Sequence, residues 1–181
     1  GTKGKPPPAH LVAAVGAAAG YKVGRIGTNG AEWPGCRLPL RHTTPESSDL
    51  QALLRRMADD GCDACVMEVS SLGLKMDRVW GIRYDLGIFT NLSPDHIGPG
   101  EHACFAEYRA WKSVLFRRCT VGVVNADDPH TPELLRLHTC RVVTYGIDRP
   151  ADWRAEGDLA PYRAPGRLGM CFTAAGPGWP P

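Results

Sequence analysis

Long hydrophobic runs are missing from this sequence, and none reaches the roughly 18 residues that a bilayer-spanning helix needs. Strong charge of either sign is missing too. The net charge is +2, which gives no basic footprint for nucleic acid and no polybasic segment for a membrane surface. No apolar core stands behind the N-terminal lysines, as a secretory leader requires. A cysteine framework is also lacking. The seven cysteines are odd in number and irregular in spacing, so reduced thiols are expected. Cys62-x-x-Cys65 has no second CxxC or HxxxH to complete a zinc site, and Cys65 opens an apolar run. It reads as core or loop cysteine. These absences predict a cytoplasmic protein without nucleic-acid or membrane partners; a monomer is expected.

What is present is enough chain for one domain with a real core: 181 residues. It opens on Gly1-Thr2-Lys3-Gly4-Lys5. A Gly-x-x-Gly-Lys turn entering a helix cradles phosphates with backbone N–H groups and a lysine charge. Only the second half of the G-x-x-x-x-G-K-[ST] pattern is visible. Pro6 stands where a hydroxyl would meet Mg²⁺, and Pro6, Pro7 and Pro8 lack the N–H groups of an ordinary helix start. Read alone, these residues make a frayed, proline-rich terminus.

Further along, Ala9 to Ala19 reads as a helix closed by Gly20, and Tyr21 to Ile26 as a strand. Gly27-Thr-Asn-Gly30 has no lysine and no following helix, so it reads as a turn. Thr43-Thr-Pro-Glu46 reads as a helix start, with Thr44 as cap and Pro45 in the first position. That helix runs through Leu50, Leu53, Leu54 and Met57 and stops by Gly61. Strands are predicted at Ala64–Met67, Leu86–Phe89, Val121–Val124 and Val142–Tyr145, with helices at His102–Arg118 and near Pro132–Leu137. Alternating helices and continuous apolar strands imply an α/β fold, a parallel sheet with helices on both faces in three layers. After Asp148 the texture loosens. One small C-terminal β-hairpin around Met170–Thr173 is expected, then a disordered or truncated tail over 174–181.

In such sheets ligands bind beyond the carboxyl ends of the strands. Three strand ends carry polar groups: Glu68 with Ser70-Ser71, Asn91 with Asp95-His96, and Asn125 with Asp127-Asp128. Each has an ordinary reading as helix cap, surface loop or turn chemistry. Together with a phosphate loop they read as a Mg²⁺-nucleotide site.

The segments Thr43-Thr-Pro-Glu46, Met67-Glu-Val-Ser-Ser71, Phe89-Thr-Asn-Leu-Ser-Pro-Asp-His96, Tyr108-Arg-Ala-Trp-Lys112 and Val124-Asn-Ala-Asp-Asp-Pro129 follow in that order. The set resembles the central ATPase domain of the Mur ligases. It is most similar to the branch adding the third amino acid of the peptidoglycan stem peptide, the UDP-N-acetylmuramoyl-tripeptide synthetases. The resemblance runs over residues 1–173. It implies an ATP- and Mg²⁺-dependent amide ligase acting on UDP-N-acetylmuramoyl-L-alanyl-D-glutamate and an amino acid through an acyl phosphate. It also implies roles. Gly1, Thr2, Gly4 and Lys5 would hold phosphates, Glu68 one Mg²⁺, and His96 with a carbamylated Lys112 a second. Thr43, Thr44, Ser70 and Arg78 would contact the nucleotide-sugar substrate, and Asn125 and Asp128 the adenosine end.

The chain departs from the family at Lys3 and Pro6, where Asn and Thr are usual, and at Leu72. It also lacks the family's strand before the phosphate loop and both flanking domains, so it reads as part of an enzyme. Two other readings stay open: a ligase resembling folylpolyglutamate synthase, and a non-catalytic module that has lost nucleotide binding. Independently of resemblance, Phe105, Tyr108, Lys112 and Leu115 fall on one helical stripe, so Lys112 is expected to be buried with a lowered pKa.

Overall fold

Short apolar segments flanked by glycine and polar turns become the strands of two neighbouring sheets. The structure is a computed structural model and describes residues 1–164 and 167–178. In chain order the elements are α1 (Pro6–Ala18), β1 (Val23–Gly27), β2 (Gly30–Trp33), β3 (Cys36–Leu38), α2 (Ser47–Asp59), β4 (Ala64–Met67) and α3 (Ser71–Lys75). There follow β5 (Tyr84–Phe89), α4 (Phe105–Ser113) with a 3₁₀ turn at Val114–Arg117, and β6 (Cys119–Asn125). The chain closes with α5 (Thr131–Leu134), β7 (Arg141–Gly146), β8 (Trp153–Ala164) and β9 (Arg167–Ala175).

The first sheet has the order β3-β2-β1-β4 and the second β5-β6-β7-β8-β9. The pairs β1–β4, β5–β6, β6–β7 and β7–β8 are parallel. Among the described residues antiparallel pairing is confined to β1–β2, β2–β3 and β8–β9. The fold is thus mixed α/β and rich in parallel strands. β4 and β5 do not pair with each other. A cavity of about 480 Å³ runs between them.

Each sheet has its own core. Ile26, Trp33, Leu50, Met57, Leu74 and Val79 pack under the first, and Phe89, Leu92, Tyr108, Phe116, Val124 and Leu134 under the second. Helix α4 bridges them. Its Tyr108 faces the second core while Trp111 packs on the first. Cys65 also packs on the first core, and burial pushes its thiol up to about 12, so it is no thiolate at neutral pH.

Several boundaries differ from those expected, each for a physical reason. The three prolines do not fray. They form the first turn of α1, where an N–H has no partner inside the helix. Helix α2 starts at Ser47, not Thr44. The Thr44 hydroxyl is diverted to the Glu68 carbonyl at 3.1 Å and accepts the Ser70 N–H at 2.9 Å. Helix α4 starts at Phe105 rather than His102, because the His102 N–H is held by the His96 carbonyl at 3.1 Å. The strands β2 and β3 and the short α3 had no periodic signal long enough to find. The C-terminal hairpin is larger than expected, with β8 as the longest strand. Ala174 and Ala175, placed by sequence in a loose tail, extend β9 opposite Ala155 and Arg154. Residues 179–181 of that expected tail lie outside the described residues. The Gly27–Gly30 turn forms as expected, linking β1 and β2.

Candidate functional site

The carboxyl ends of β4 and β5, the first residues of the chain and helix α4 meet at one end of the cavity. Gly1, Lys5, Glu68, Thr90 and Lys112 all line it. The loop Gly1–Lys5 is fastened to the end of β5. The Thr2 N–H donates to the Asn91 carbonyl at 2.9 Å, and the Lys3 N–H to the Asn91 side chain at 3.1 Å. The Thr2 hydroxyl donates to the Ser93 carbonyl at 3.3 Å and accepts from the Tyr108 hydroxyl at 3.0 Å. Gly4 has φ +68°, a left-handed conformation that glycine adopts without steric cost. Lys5 turns its ammonium back onto the carbonyls of Gly1 and Thr2 at 3.3 and 3.1 Å.

Glu68 is buried just past β4. The Thr28 N–H and hydroxyl donate to its two carboxylate oxygens at 3.1 and 3.0 Å. Glu68 therefore does not cap α3. That cap is Ser70, whose hydroxyl accepts the Gly73 N–H at 2.9 Å. Thr28 is a site residue that the sequence reading missed. Its segment lacked a lysine and so was read only as a turn. A Cβ added at Gly27 would collide with the Glu68 carboxylate. Gly27→Ala is therefore expected to push Glu68 off Thr28 and destabilise the chain by about 1.5–3 kcal/mol, the range for hydrogen bonds to a charged group. A urea titration checks this. An unchanged midpoint would mean that the clamp contributes nothing.

The residues assigned by resemblance to the sugar substrate gather beside Glu68. The Thr43 and Thr28 hydroxyls are 3.2 Å apart, and those of Thr44 and Ser70 also 3.2 Å. Arg78 donates to the Thr44 carbonyl at 3.3 Å and pairs with Glu46 at 2.7 Å. Its Nε is buried without a partner, a donor that an anionic group could satisfy.

On the other flank, Lys112 is 9 % exposed. Its ammonium lies 4.6 Å from the Tyr108 ring centroid and donates to the Gly1 carbonyl at 3.4 Å. Burial first, then the neighbouring charge of Lys5, lower its pKa to about 7, with Asp95 opposing. His96 lies across the same tyrosine, ring centroids 6.0 Å apart, with Nδ1 2.9 Å from Glu101. Its φ of +53° is unusual for a non-glycine residue. Such backbone strain clusters at functional sites. His102, also missed by sequence, is fully buried with Nε2 2.9 Å from the Ser71 hydroxyl. Burial, then Lys75, holds its pKa below the usual value.

Asn125 and Asp128 act here as fasteners between strand ends. Asn125 donates to the Thr90 carbonyl at 2.8 Å and accepts the Asp127 N–H at 3.0 Å. Asp128 accepts the N–H groups of Leu92 and His130 at 2.7 and 2.9 Å.

Among the described residues no cluster of three or more His, Cys, Asp or Glu side chains forms a metal cage. Mg²⁺ needs no such cage, since one or two carboxylates with phosphates and water suffice. Glu68 with the Thr28 hydroxyl offers that donor set. His96 nitrogen is a poorer match for so hard a cation.

Residues 1–173 match the family described as Mur ligase middle domain. The chain belongs to the Mur ligase family. The UDP-N-acetylmuramoyl-L-alanyl-D-glutamate–2,6-diaminopimelate ligase of Clostridium botulinum is 38 % identical over 156 residues, covering 86 % of this chain and 32 % of the relative. The ligase of the same name from Thermosynechococcus vestitus is 38 % identical over 182 residues, covering 98 % of this chain and 36 % of its own length. A solved structure of a protein with that name superposes with a TM-score of 0.85 at 27 % identity, covering 97 % of this chain and 36 % of the other. The chain thus spans about a third of the length of these Mur ligases. No helix among the described residues is long and apolar enough to cross a membrane.

Proposed function

We propose that this segment is the nucleotide-handling centre of an ATP-dependent amide ligase. The ligase extends UDP-N-acetylmuramoyl-L-alanyl-D-glutamate by one amino acid, releasing ADP and phosphate. The observation that carries this reading is the convergence of Lys5, Glu68 and Lys112 on one cleft end. Gly1, Thr2, Gly4 and Lys5 hold the phosphates. A substrate carboxylate attacks the terminal phosphorus, and the incoming amine then displaces phosphate from the acyl phosphate. Thr43, Thr44, Ser70 and Arg78 position the nucleotide-sugar, with the free Arg78 Nε available to an anion. Asn125 and Asp128 lie toward the adenosine. Glu68 with Thr28 would hold one Mg²⁺, and His96 with Lys112 as a carbamate a second. Bound Mg²⁺ would neutralise phosphate charge. The relatives' names favour 2,6-diaminopimelate as the added amino acid, and the mass of the product decides it.

The chain alone is expected to bind Mg-ATP weakly. Its helix start offers prolines in place of N–H donors, and Lys5 is satisfied by its own loop. Charge-assisted hydrogen bonds contribute about 1.5–3 kcal/mol each, so losing two or three costs on the order of 10²–10⁶ in affinity. Calorimetry should find no affinity tighter than about millimolar, and micromolar binding would contradict this. A full-length ligase carrying the segment should form amide and ADP one for one. ATP turnover with no amide in the presence of both substrates would overturn the ligase reading. Absence of both would favour a module that has lost catalysis.

A further inference from the structure

The stretch Gly98-Pro99-Gly100-Glu101-His102 has no part in the chemistry described so far. It turns the chain straight back on itself. The Glu101 N–H donates to the Gly98 carbonyl at 3.0 Å, and the Gly98 N–H to the His102 carbonyl at 3.1 Å. Gly100 supplies the left-handed step, with φ +79°. The loop is then pinned from outside. The Lys75 ammonium, at the end of α3, donates to the Glu101 carbonyl at 2.7 Å. The buried His102 ring packs on Tyr108, 5.3 Å between centroids, with Nε2 on the Ser71 hydroxyl. A backbone held at so many points fixes where the Glu101 side chain goes. It goes to the His96 ring, with Oε1 2.9 Å from Nδ1.

An ionised carboxylate only accepts hydrogen bonds, so the proton of a neutral His96 ring sits on Nδ1. A free histidine side chain in water prefers its proton on the other nitrogen. Glu101 thus reverses the ordinary tautomer and leaves the Nε2 lone pair open. That nitrogen stands 3.9 Å from Asp95 Oδ2, too far for a hydrogen bond. The other Asp95 oxygen accepts the His96 N–H at 3.0 Å. Two electron-rich atoms so close, with no proton between them, suit a cation. The His96 and Glu101 side chains are 42 and 37 % exposed, and pairs so open to solvent stabilise a fold little. The geometry therefore points to what the ring binds. Tyr108 lies beside both His96 and Lys112.

We propose that Glu101 is a positioning residue of the ligase, holding the His96 proton on Nδ1 so that the Nε2 lone pair is presented to a divalent cation. The inference rests on the reading of His96 as a metal ligand. A carboxylate on the remote nitrogen fixes the orientation of the ring and raises its basicity as a ligand. That offsets the poor match of imidazole to a hard cation. Loss of such a partner costs about 10–100-fold in metal affinity.

The test uses this chain with ¹⁵N-labelled histidine, without metal and then with Mn²⁺ alone, at a pH where the ring shifts no longer change. The His96 signals are assigned by their loss in His96→Gln. Nε2 is expected to resonate as an unprotonated nitrogen, and in Glu101→Ala the proton should move to it. Mn²⁺ should broaden the His96 ring signals, and Glu101→Ala should need about 10–100-fold more Mn²⁺ for the same broadening. Glu101→Gln keeps the chain length and an acceptor oxygen, so the loop has its contact even if alanine lets it collapse. It should keep the Nδ1 proton and weaken Mn²⁺ binding less than alanine does. A wild-type ring protonated on Nε2, or a tautomer indifferent to Glu101→Ala, would overturn the role of Glu101 and leave the metal role of His96 standing. The expected tautomer with no broadening by Mn²⁺ would instead remove the metal role, and the proposal with it. Gln as damaging to Mn²⁺ binding as Ala would mean that the carboxylate binds the cation itself, which also overturns the positioning role.

Discussion

Lys112→Arg, in a full-length ligase carrying this segment, is expected to lose at least about 10²-fold in turnover, the scale for removing one well-placed electrostatic group. The stripe Phe105, Tyr108, Lys112, Leu115 places a lysine where burial is dictated by its neighbours. The structure buries it over the Tyr108 ring, 9 % exposed, with its pKa lowered to about 7. A neutral amine adds CO₂: its lone pair forms the N–C bond and one proton leaves. The product is an anion with two oxygens, which suits a site that must hold metal and phosphate. Arginine keeps the positive charge but stays protonated and cannot add CO₂. Lys112→Ala should be equally inactive, and acetate should restore part of its rate. Full activity in Lys112→Arg would sink both the carbamate and the metal role.

The same shift fixes a pH dependence. Unmodified Lys112 binds its proton less tightly folded, at about 7, than unfolded, at 10.5. Between those values the unfolded chain holds more protons, so stability rises with pH across that window. Below about 7 the penalty of the buried charge is fully present, and the carbamate is lost as the amine protonates.

Glu68→Gln is the second large effect expected. The amide is nearly isosteric, and Thr28 can still donate to its one carbonyl oxygen, so the fold should persist. Turnover should fall by about 10²–10³, because a neutral amide offsets no metal charge. The alternative role for Glu68 is that of a fastener for the β1–β2 turn through Thr28. In that case Gln leaves turnover near the wild-type rate at saturating Mg²⁺ while lowering the urea midpoint. Measuring both quantities on one variant separates the two roles.

The residues most legible in the sequence were those whose chemistry and position coincide. Glu68 ends an apolar strand, and Lys112 interrupts an apolar stripe. Each therefore signals a polar group that the fold must hold in place. Strands β4 to β7 were legible because each carries a short, mainly apolar run between turn residues. Thr28 and His102 were not, because what matters in each is a partner 40 or 31 residues away. The start of α2 was misplaced for a related reason. Thr44 has the right side chain for a cap, yet a tertiary partner, the corner Glu68–Ser70, wins its hydroxyl. Taken alone, Pro6–Pro8 read as a frayed terminus because they lack donors. The first turn of a helix is where that lack costs nothing structurally. The same lack still argues against strong phosphate binding by the isolated chain.

The central claim is that a substrate carboxylate takes the terminal phosphoryl group of ATP in the cleft between Lys5, Glu68 and Lys112. It is tested most directly with UDP-N-acetylmuramoyl-L-alanyl-D-glutamate labelled with ¹⁸O in its reacting carboxylate, turned over by a full-length ligase carrying this segment. The account predicts that one labelled oxygen leaves in inorganic phosphate and that the other nucleotide product is ADP. Label appearing in AMP, or amide formed with unlabelled phosphate, would contradict it.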